Sequence, residues 1–258
     1  MITSTSNAKV KELLNLQKKA KLRNEKKVFV VEGLRMFSET PRERIVQVYL
    51  SESFHSKKGK QLNLSGLTVE ILSDTVFSYV SDTKSPQGIL CIVKQNDYII
   101  EDVMKAERAH ILMLENLQDP GNMGTIMRTA EGAGVTGILM SRDTVDIYNP
   151  KVVRSTMGSI YRIPFLYVED FLAAAKVVKA AGIRIFAAHL DGKDTYDRQD
   201  YLGGTAFLIG NEGNGLTPEA AEAADTWIRI PMHGKVESLN AAIASAILMY
   251  EVCRQRGE

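Results

Sequence analysis

The 258 residues are 45% apolar, 24% charged and 7% aromatic, enough for one large domain or a small domain joined to a medium one. That hydrophobicity excludes a disordered chain, and 19 glycines with 7 prolines exclude collagen and low-complexity arrays. The net charge of +1 hides an asymmetry: residues 1–60 hold 14 Lys and Arg against 6 Asp and Glu, whereas the rest hold 18 against 25. Cys91 and Cys253 lie far apart and match no metal or redox spacing, as in a reducing compartment. The N-terminus lacks the apolar stretch of a signal peptide. The longest mainly apolar run, 241–250, is half of the ~20 residues that cross a bilayer. A soluble, cytoplasmic protein without a membrane segment is expected.

The elements divide into two regions. In the first, 7–20 reads as a helix with a partial apolar stripe at Val10, Leu13, Leu14, Leu16 and Gln17. Strands are expected at 28–31, 46–50, 69–72 and 89–93, with a helix at 33–38, as in a small α/β layer. The polar stretch 94–110 reads as a connection, which divides the chain into domains at 1–93 and 111–258. The basic excess falls at one end, on Lys9, Lys11, Lys18, Lys19, Lys21, Arg23, Lys26 and Lys27. Such an end meets a polyanion or merely keeps a helix soluble, and charge alone does not decide between them.

The second region alternates strand and helix. Short apolar runs at 111–114, 137–140, 165–168, 184–188, 206–209 and 227–230 suit buried strands, with helical patterns at 125–133, 171–181, 218–224 and 239–254 between and after them. That order predicts a mostly parallel sheet covered on both faces, with ligands bound beyond the carboxyl ends of the strands. The loops after Leu114, Ala188, Ile209 and Ile230 are therefore expected to hold the site.

Several chemistries are excluded first. Gly132 to Gly137 spells G-x-G-x-x-G, but it leaves a helix and enters a strand, the reverse of a dinucleotide fingerprint. No phosphate-binding P-loop and no G-x-S-x-G elbow is present. His55, His110, His189 and His233 have no metal-ligand spacing, so no metal is expected. What remains are three loops. In the first, the turn-rich Asp119-Pro120-Gly121-Asn122 leads into a helix carrying Arg128 about one turn in, a cation at the positive end of a dipole that suits a phosphate or a developing oxyanion better than helix stability. In the second, three glycines in six residues around Glu212 permit close backbone approach. In the third, Ser238 and Asn240 precede the last helix, where at least one is expected to cap it.

These loops resemble the three motifs of the SpoU (TrmH-like) family of RNA ribose 2′-O-methyltransferases, within the SPOUT superfamily. Asn122-x-Gly124-x-x-x-Arg128 matches the first, Ile209-Gly-Asn-Glu-Gly213 the second, and Ile230-Pro-Met through Ser238-Leu-Asn240 the third. The segment 149–158 also reads like the family's, and the match spans 111–258 in order. Phe29-Val-Val-Glu-Gly33 resembles the family's N-terminal substrate-binding domain, an α/β sandwich like that of kink-turn-binding ribosomal proteins.

The resemblance implies a C-terminal parallel sheet with a deep trefoil knot and S-adenosylmethionine bound against Ala188, Gly210, Ile230 and Leu239. It also implies a homodimer through the knotted domain, to which Ile243, Ile247 and Tyr250 are candidates, though core packing explains them equally. Asn122, Arg128, Glu212, Ser238 and Asn240 would form the catalytic site. The expected RNA contacts are Lys9, Lys18, Lys19, Lys21 and Arg23. A guanidinium stays protonated in proteins, so Arg128 is assigned an electrostatic role rather than that of a base. Ribosomal RNA is the favoured substrate and transfer RNA the alternative; a non-catalytic RNA-binding or ribosome-assembly factor of the same fold is a further reading.

Overall fold

The computed structural model describes residues 1–257, with backbone alone at Lys60; Glu258, the last residue of the expected second domain, lies outside them. The chain begins with α1 (Ala8–Lys18), α2 (Ala20–Lys26), β1 (Val28–Glu32), α3 (Leu34–Glu39), β2 (Ile45–Ser51) and α4 (Glu52–Lys58). It continues through β3 (Val69–Leu72), α5 (Asp74–Val80), β4 (Ile89–Lys94), α6 (Ile100–Met104), β5 (His110–Leu114), α7 (Pro120–Gly132) and β6 (Gly137–Ser141). Then come α8 (Pro150–Thr156), β7 (Phe165–Val168), α9 (Phe171–Ala180), β8 (Arg184–Ala188) and β9 (Asp194–Thr195). The last elements are β10 (Thr205–Ile209), α10 (Pro218–Glu222), β11 (Thr226–Arg229) and α11 (Ala241–Arg256). No helix among the described residues is long and apolar enough to cross a membrane.

Two compact units result, and the chain passes between them three times. The first contains Met1–Asn96 and an arm, Asp146–Tyr161; the second contains Asp97–Val145 and the chain from Arg162 onward. In the first unit β1, β4, β2 and β3 lie in that order, antiparallel except for the β2–β3 pair. Val10, Leu13 and Leu16 of α1 and Val76, Phe77 and Val80 of α5 pack on Val30, Tyr49, Leu72, Leu90 and Ile92. Strand alternation turns Phe29 to the opposite face, where the arm covers it: its ring lies 4.7 Å from Tyr148 and 6.3 Å from Tyr161. Because both faces of β1 are covered, it reads as a continuous apolar run.

Five helices of five to seven residues escape the periodicity of the sequence: α2, α4, α5, α6 and α8. They are too short for an apolar face to repeat. Capping marks three of them instead, since Ser51 accepts from Phe54 N, Ser73 from Val76 N and Asn149 from Lys151 N. Helix α6 lies within the polar 94–110 stretch and buries Val103; a Cβ on Gly137 would come 2.4 Å from Val103 Cγ1, so the start of β6 must be glycine.

The second unit is a seven-stranded sheet in the order β7-β6-β5-β10-β8-β11-β9, parallel throughout. Ala174, Ala175 and Val178 of α9 and Ala220 and Ala221 of α10 pack with Ala206 and Leu208 of β10. Phe207, between those two, packs instead with Phe186 and Tyr201, and α11 covers β10 while packing on α7. In a parallel sheet all carboxyl ends share one edge, so β5, β10, β8 and β11 deliver their following loops side by side.

His110 opens β5 at 1% exposure, with Nε2 unpartnered among the described residues. Burial, reinforced by the positive Arg256, pulls its pKa from 6.5 to about 3. A histidine with a depressed folded pKa contributes fully above 6.5 and costs stability as pH falls from there toward 3, because the unfolded chain takes up the proton first. Denaturant titrations of the wild type should therefore lose on the order of 1 kcal/mol per pH unit below about pH 6 beyond the loss shown by His110→Phe. Parallel profiles for the two proteins would place the acid sensitivity elsewhere.

Candidate functional site

The site grows from the ends of β5 and β10. After Leu114 the backbone turns through Asn116 at φ 54°, a left-handed conformation rare outside glycine that asparagine tolerates best. Its amide donates to Ser141 Oγ at 2.8 Å, and its carbonyl accepts from Asn211 Nδ2 at 2.9 Å. Asp119 then caps α7 by accepting from Asn122 N at 2.8 Å, with Pro120 at the first helical position.

After Ile209 the chain makes a tight loop that only glycine permits at position 210, since a Cβ there would lie 2.1 Å from Gly215 C. Gly215 takes φ +69°. Asn211 and Gly215 exchange two backbone hydrogen bonds of 2.9 Å, and Asn211 Oδ1 accepts from Gly213 N and Asn214 N at 2.9 and 3.1 Å. Glu115 anchors the far side by accepting from Thr217 N and Oγ1 at 2.8 and 2.7 Å.

This loop presents Glu212 to α7. Its carboxylate accepts from Gln118 N at 3.0 Å, Asp119 N at 2.9 Å and Asn122 Nδ2 at 3.0 Å. Partial burial would raise its pKa, but the bonds from Asn122, Gln118 and Asp119 outweigh that and hold the carboxyl below the usual range. Asn122, 9% exposed, is fixed in orientation: with its amide nitrogen on Glu212, its Oδ1 accepts from Asn240 Nδ2 at 2.9 Å. Asn240 in turn caps α11, accepting from Ala242 N and Ile243 N at 2.9 and 3.3 Å. One line of hydrogen bonds thus joins Glu212, Asn122, Asn240 and the α11 N-terminus.

Arg128 requires a correction. Helix α7 begins at Pro120, five residues before the periodic pattern starts, so Arg128 lies more than two turns in and not at the positive end of the dipole. It is exposed and has no carboxylate partner among the described residues, which leaves its guanidinium available to an anionic ligand. Ser238 is exposed two residues before Asn240 and caps nothing. Ala188 and Ile230 are half-buried at the ends of neighbouring strands β8 and β11, whose register pairs Ala188 with Ile228; Leu239 is half-buried beside Asn240. Gly210 follows β10, whose Leu208 pairs with Ala187. Half-buried apolar side chains at neighbouring strand ends suit an adenosine moiety. No cluster of three His, Cys, Asp or Glu among the described residues is placed to hold a metal.

Arg23, expected on the basic surface, is 3% exposed and is not available to RNA. Its guanidinium donates to Asp146 and to the carbonyls of Leu16 and Gln17. The partner Asp146 stands 123 residues away, beyond any local pattern. Lys9 is paired with Glu70, Lys26 with Glu12 and, at 3.9 Å, Lys21 with Glu25; these three lysines, with Lys18 and Lys19, are exposed. Asn116 and Gln118 were not singled out by the sequence reading, and Asp119 and Asn211 entered it only as parts of a turn and a motif; the density of Asn and Asp in turn positions was the available signal.

Residues 109–250 match a family model described as the SpoU rRNA Methylase family, and residues 7–91 one described as an MRM3-like substrate binding domain. A Bacillus subtilis protein named 23S rRNA (guanosine(2553)-2′-O)-methyltransferase RlmP is 30% identical over 257 residues, 97% of this chain and 98% of that protein. The solved structure of an AdoMet-bound rRNA methyltransferase from Sinorhizobium meliloti superposes with a TM-score of 0.85 at 32% identity, covering 98% of this chain and 97% of the other. An RNA 2′-O ribose methyltransferase structure gives 0.84 at 28% identity, covering 100% and 99%.

If Glu212 holds the first loop in place, Glu212→Gln should accelerate hydrogen exchange at the Gln118 and Asp119 amides by roughly tenfold or more, while the β5 amides stay protected. Unchanged exchange at both would show that the loop stands without the carboxylate.

Proposed function

The chain belongs to the SpoU rRNA methylase family, and from that premise we propose that it transfers a methyl group from S-adenosylmethionine to a ribose 2′-hydroxyl of ribosomal RNA. The observation that carries the site assignment is the line from Glu212 through Asn122 to Asn240, which draws residues of the three motifs together at the carboxyl edge of a parallel sheet.

S-adenosylmethionine supplies an electrophilic methyl group on a sulfonium when bound. The cofactor residues proposed are Ala188, Gly210, Ile230 and Leu239, with main-chain groups at the strand ends facing the polar edges of the nucleoside. For the hydroxyl, the protein's tasks are alignment and charge stabilisation. Arg128, a permanent cation on the exposed side of α7, clamps the phosphate next to the target ribose and stabilises alkoxide character as it develops. Asn122, oriented by Glu212, and Asn240 position the nucleotide, and the exposed Ser238 hydroxyl contacts ribose or phosphate.

The first unit supplies affinity. Lys18, Lys19 and Lys21 are exposed at the junction of α1 and α2 and suit a phosphate backbone. The domains proposed remain 1–93 for RNA binding and 111–258 for transfer, with 94–110 between. A trefoil knot is proposed from the family resemblance, and the position of β10 between the earlier strands β5 and β8 is consistent with it. A homodimer is supported by Ile243 and Tyr250, large apolar side chains 50% and 52% exposed on α11. A cytoplasmic location is in keeping with action on ribosomal RNA.

The direct test is tritium transfer from labelled S-adenosylmethionine to fractionated RNA from cells lacking this protein. Label in large ribosomal RNA is expected; label in transfer RNA alone would keep the chemistry and change the substrate. In the same assay Arg128→Ala should lose activity by about a hundredfold or more with donor affinity nearly unchanged. Weakened donor binding would contradict its role toward the RNA. Neutralising Lys18, Lys19 and Lys21 together should reduce the slope of log affinity against log salt by about 2 to 3. An unaltered slope would return these lysines to solubility alone.

A further inference from the structure

We propose that Glu115 is a positioning residue for the methyl donor: it clasps the loop 210–216 at both ends and so fixes the main chain at Gly210 that receives S-adenosylmethionine. The proposal rests on the methyltransferase reading above and deepens its donor site. Glu115 acts through Thr217, and every residue involved lies in the second unit.

Glu115 is the first residue beyond β5 and is half-buried. Its backbone amide donates at 2.8 Å to the carbonyl of Ile209, the last residue of β10. Its carboxylate accepts from Thr217 N at 2.8 Å through Oε2 and from Thr217 Oγ1 at 2.7 Å through Oε1. Ile209 precedes the loop and Thr217 follows it, so a single residue spans the base. Thr217 is itself held, because its Oγ1 accepts from Ala220 N at 3.2 Å and caps α10. An ionised carboxylate only accepts, so the Thr217 hydroxyl proton points to Glu115. An amide in place of this carboxylate would turn a donor toward one of the two Thr217 donors.

The clasp reaches Gly210 because the two ends of the loop lie against each other. A Cβ on Gly210 would come 2.2 Å from Leu216 N as well as 2.1 Å from Gly215 C. The residue beside Thr217 is thus packed on the main chain proposed to meet the donor. Leu216 is buried, but residues 212–215, Glu-Gly-Asn-Gly, are exposed and have no apolar side chain to bury. Polar bonds at the base therefore limit the conformations of the loop. A loop already closed costs less ordering when a ligand binds its main chain, so loss of the clasp is read as lost donor affinity. Glu212 bonds in the other direction, to Gln118, Asp119 and Asn122, the side proposed to position the nucleotide. The two carboxylates divide the site: Glu115 serves the donor and Glu212 the acceptor.

The test uses the full chain. Donor affinity is measured by titration calorimetry with S-adenosylmethionine. RNA affinity, melting temperature and single-turnover tritium transfer to a large-subunit ribosomal RNA transcript at saturating donor are measured alongside. Glu115→Gln should weaken donor binding about tenfold while RNA affinity and the rate at saturating donor stay within about twofold. Exchange of the Asn211 and Gly215 amides, which bond across the loop, should accelerate by roughly the same factor with no donor present. Thr217→Val, which removes the hydroxyl, should weaken donor binding in the same sense and carries the test if Glu115→Gln does not fold. Thr217→Ser, which keeps the hydroxyl, should bind donor as the wild type does. Adding Thr217→Val to Glu115→Gln should cost no more than about twofold further. Unchanged donor affinity would overturn the proposal, as would losses that multiply, or a joint fall in melting temperature, donor affinity and RNA affinity. A wild type that binds no S-adenosylmethionine, or binds it and labels no RNA, would instead overturn the methyltransferase reading on which the proposal stands.

Discussion

Everything at the site depends on one carboxylate accepting three hydrogen bonds. The loops beyond β5 and β10 are polar, glycine-rich and largely exposed, so apolar burial cannot hold them. Glu212 substitutes for a core by receiving the Gln118 and Asp119 amides and the Asn122 side chain together. A neutral group at this position would offer fewer and weaker acceptors, since bonds to an ionised oxygen are the strong ones. The carboxylate also sets direction. With its nitrogen drawn to Glu212, Asn122 must turn its oxygen to Asn240, and Asn240 must turn its own oxygen to the α11 amides. The orientation of two amides is thereby decided before any ligand arrives, which is the preorganisation that charge-stabilising catalysis needs.

That arrangement suits a reaction in which the donor is already activated. With the methyl group electrophilic on its sulfonium, the protein has alignment and a developing negative charge to manage. In the proposed reading, a permanent cation in Arg128 and rigid amides would meet those tasks without a side chain that titrates near neutrality. The depressed pKa of Glu212 fits this division, because its work is done in the ionised form.

The first unit is not one continuous stretch of chain. Asp146–Tyr161 lies inside the stretch matched to the methylase family, 109–250, yet folds into the compact unit that contains the substrate-binding match, 7–91. Phe29 stacks on Tyr148, Thr40 shares a 2.8 Å hydrogen bond with Tyr161, and Arg154 of α8 reaches Asp82 at 2.7 Å. The arm makes the unit that contains the substrate-binding match a composite of two distant stretches of chain. Removal of residues 1–93 alone would leave the apolar face of the arm uncovered.

The sequence by itself determined the fold class, the three motif loops and every strand except the two-residue β9. Strands buried on both faces must be uninterruptedly apolar, and loops at the carboxyl edge of a parallel sheet are the ones free to be rich in Gly, Asn and Pro. It also determined the excess of positive charge in the first 60 residues, since charge is additive along a chain. Tertiary structure decided the rest. The register of α7 follows from Asp119 capping a helix inside a segment that reads as a turn, and this moved Arg128 from the helix start to its later half. Arg23 is indistinguishable from its lysine neighbours until Asp146, 123 residues away, is folded against it. The insertion of β10 between β5 and β8 is likewise invisible, because each strand's composition records that it is buried and not which strand lies beside it. Local composition fixes what a segment becomes; partners distant in sequence fix what it touches, and the site is made of such contacts.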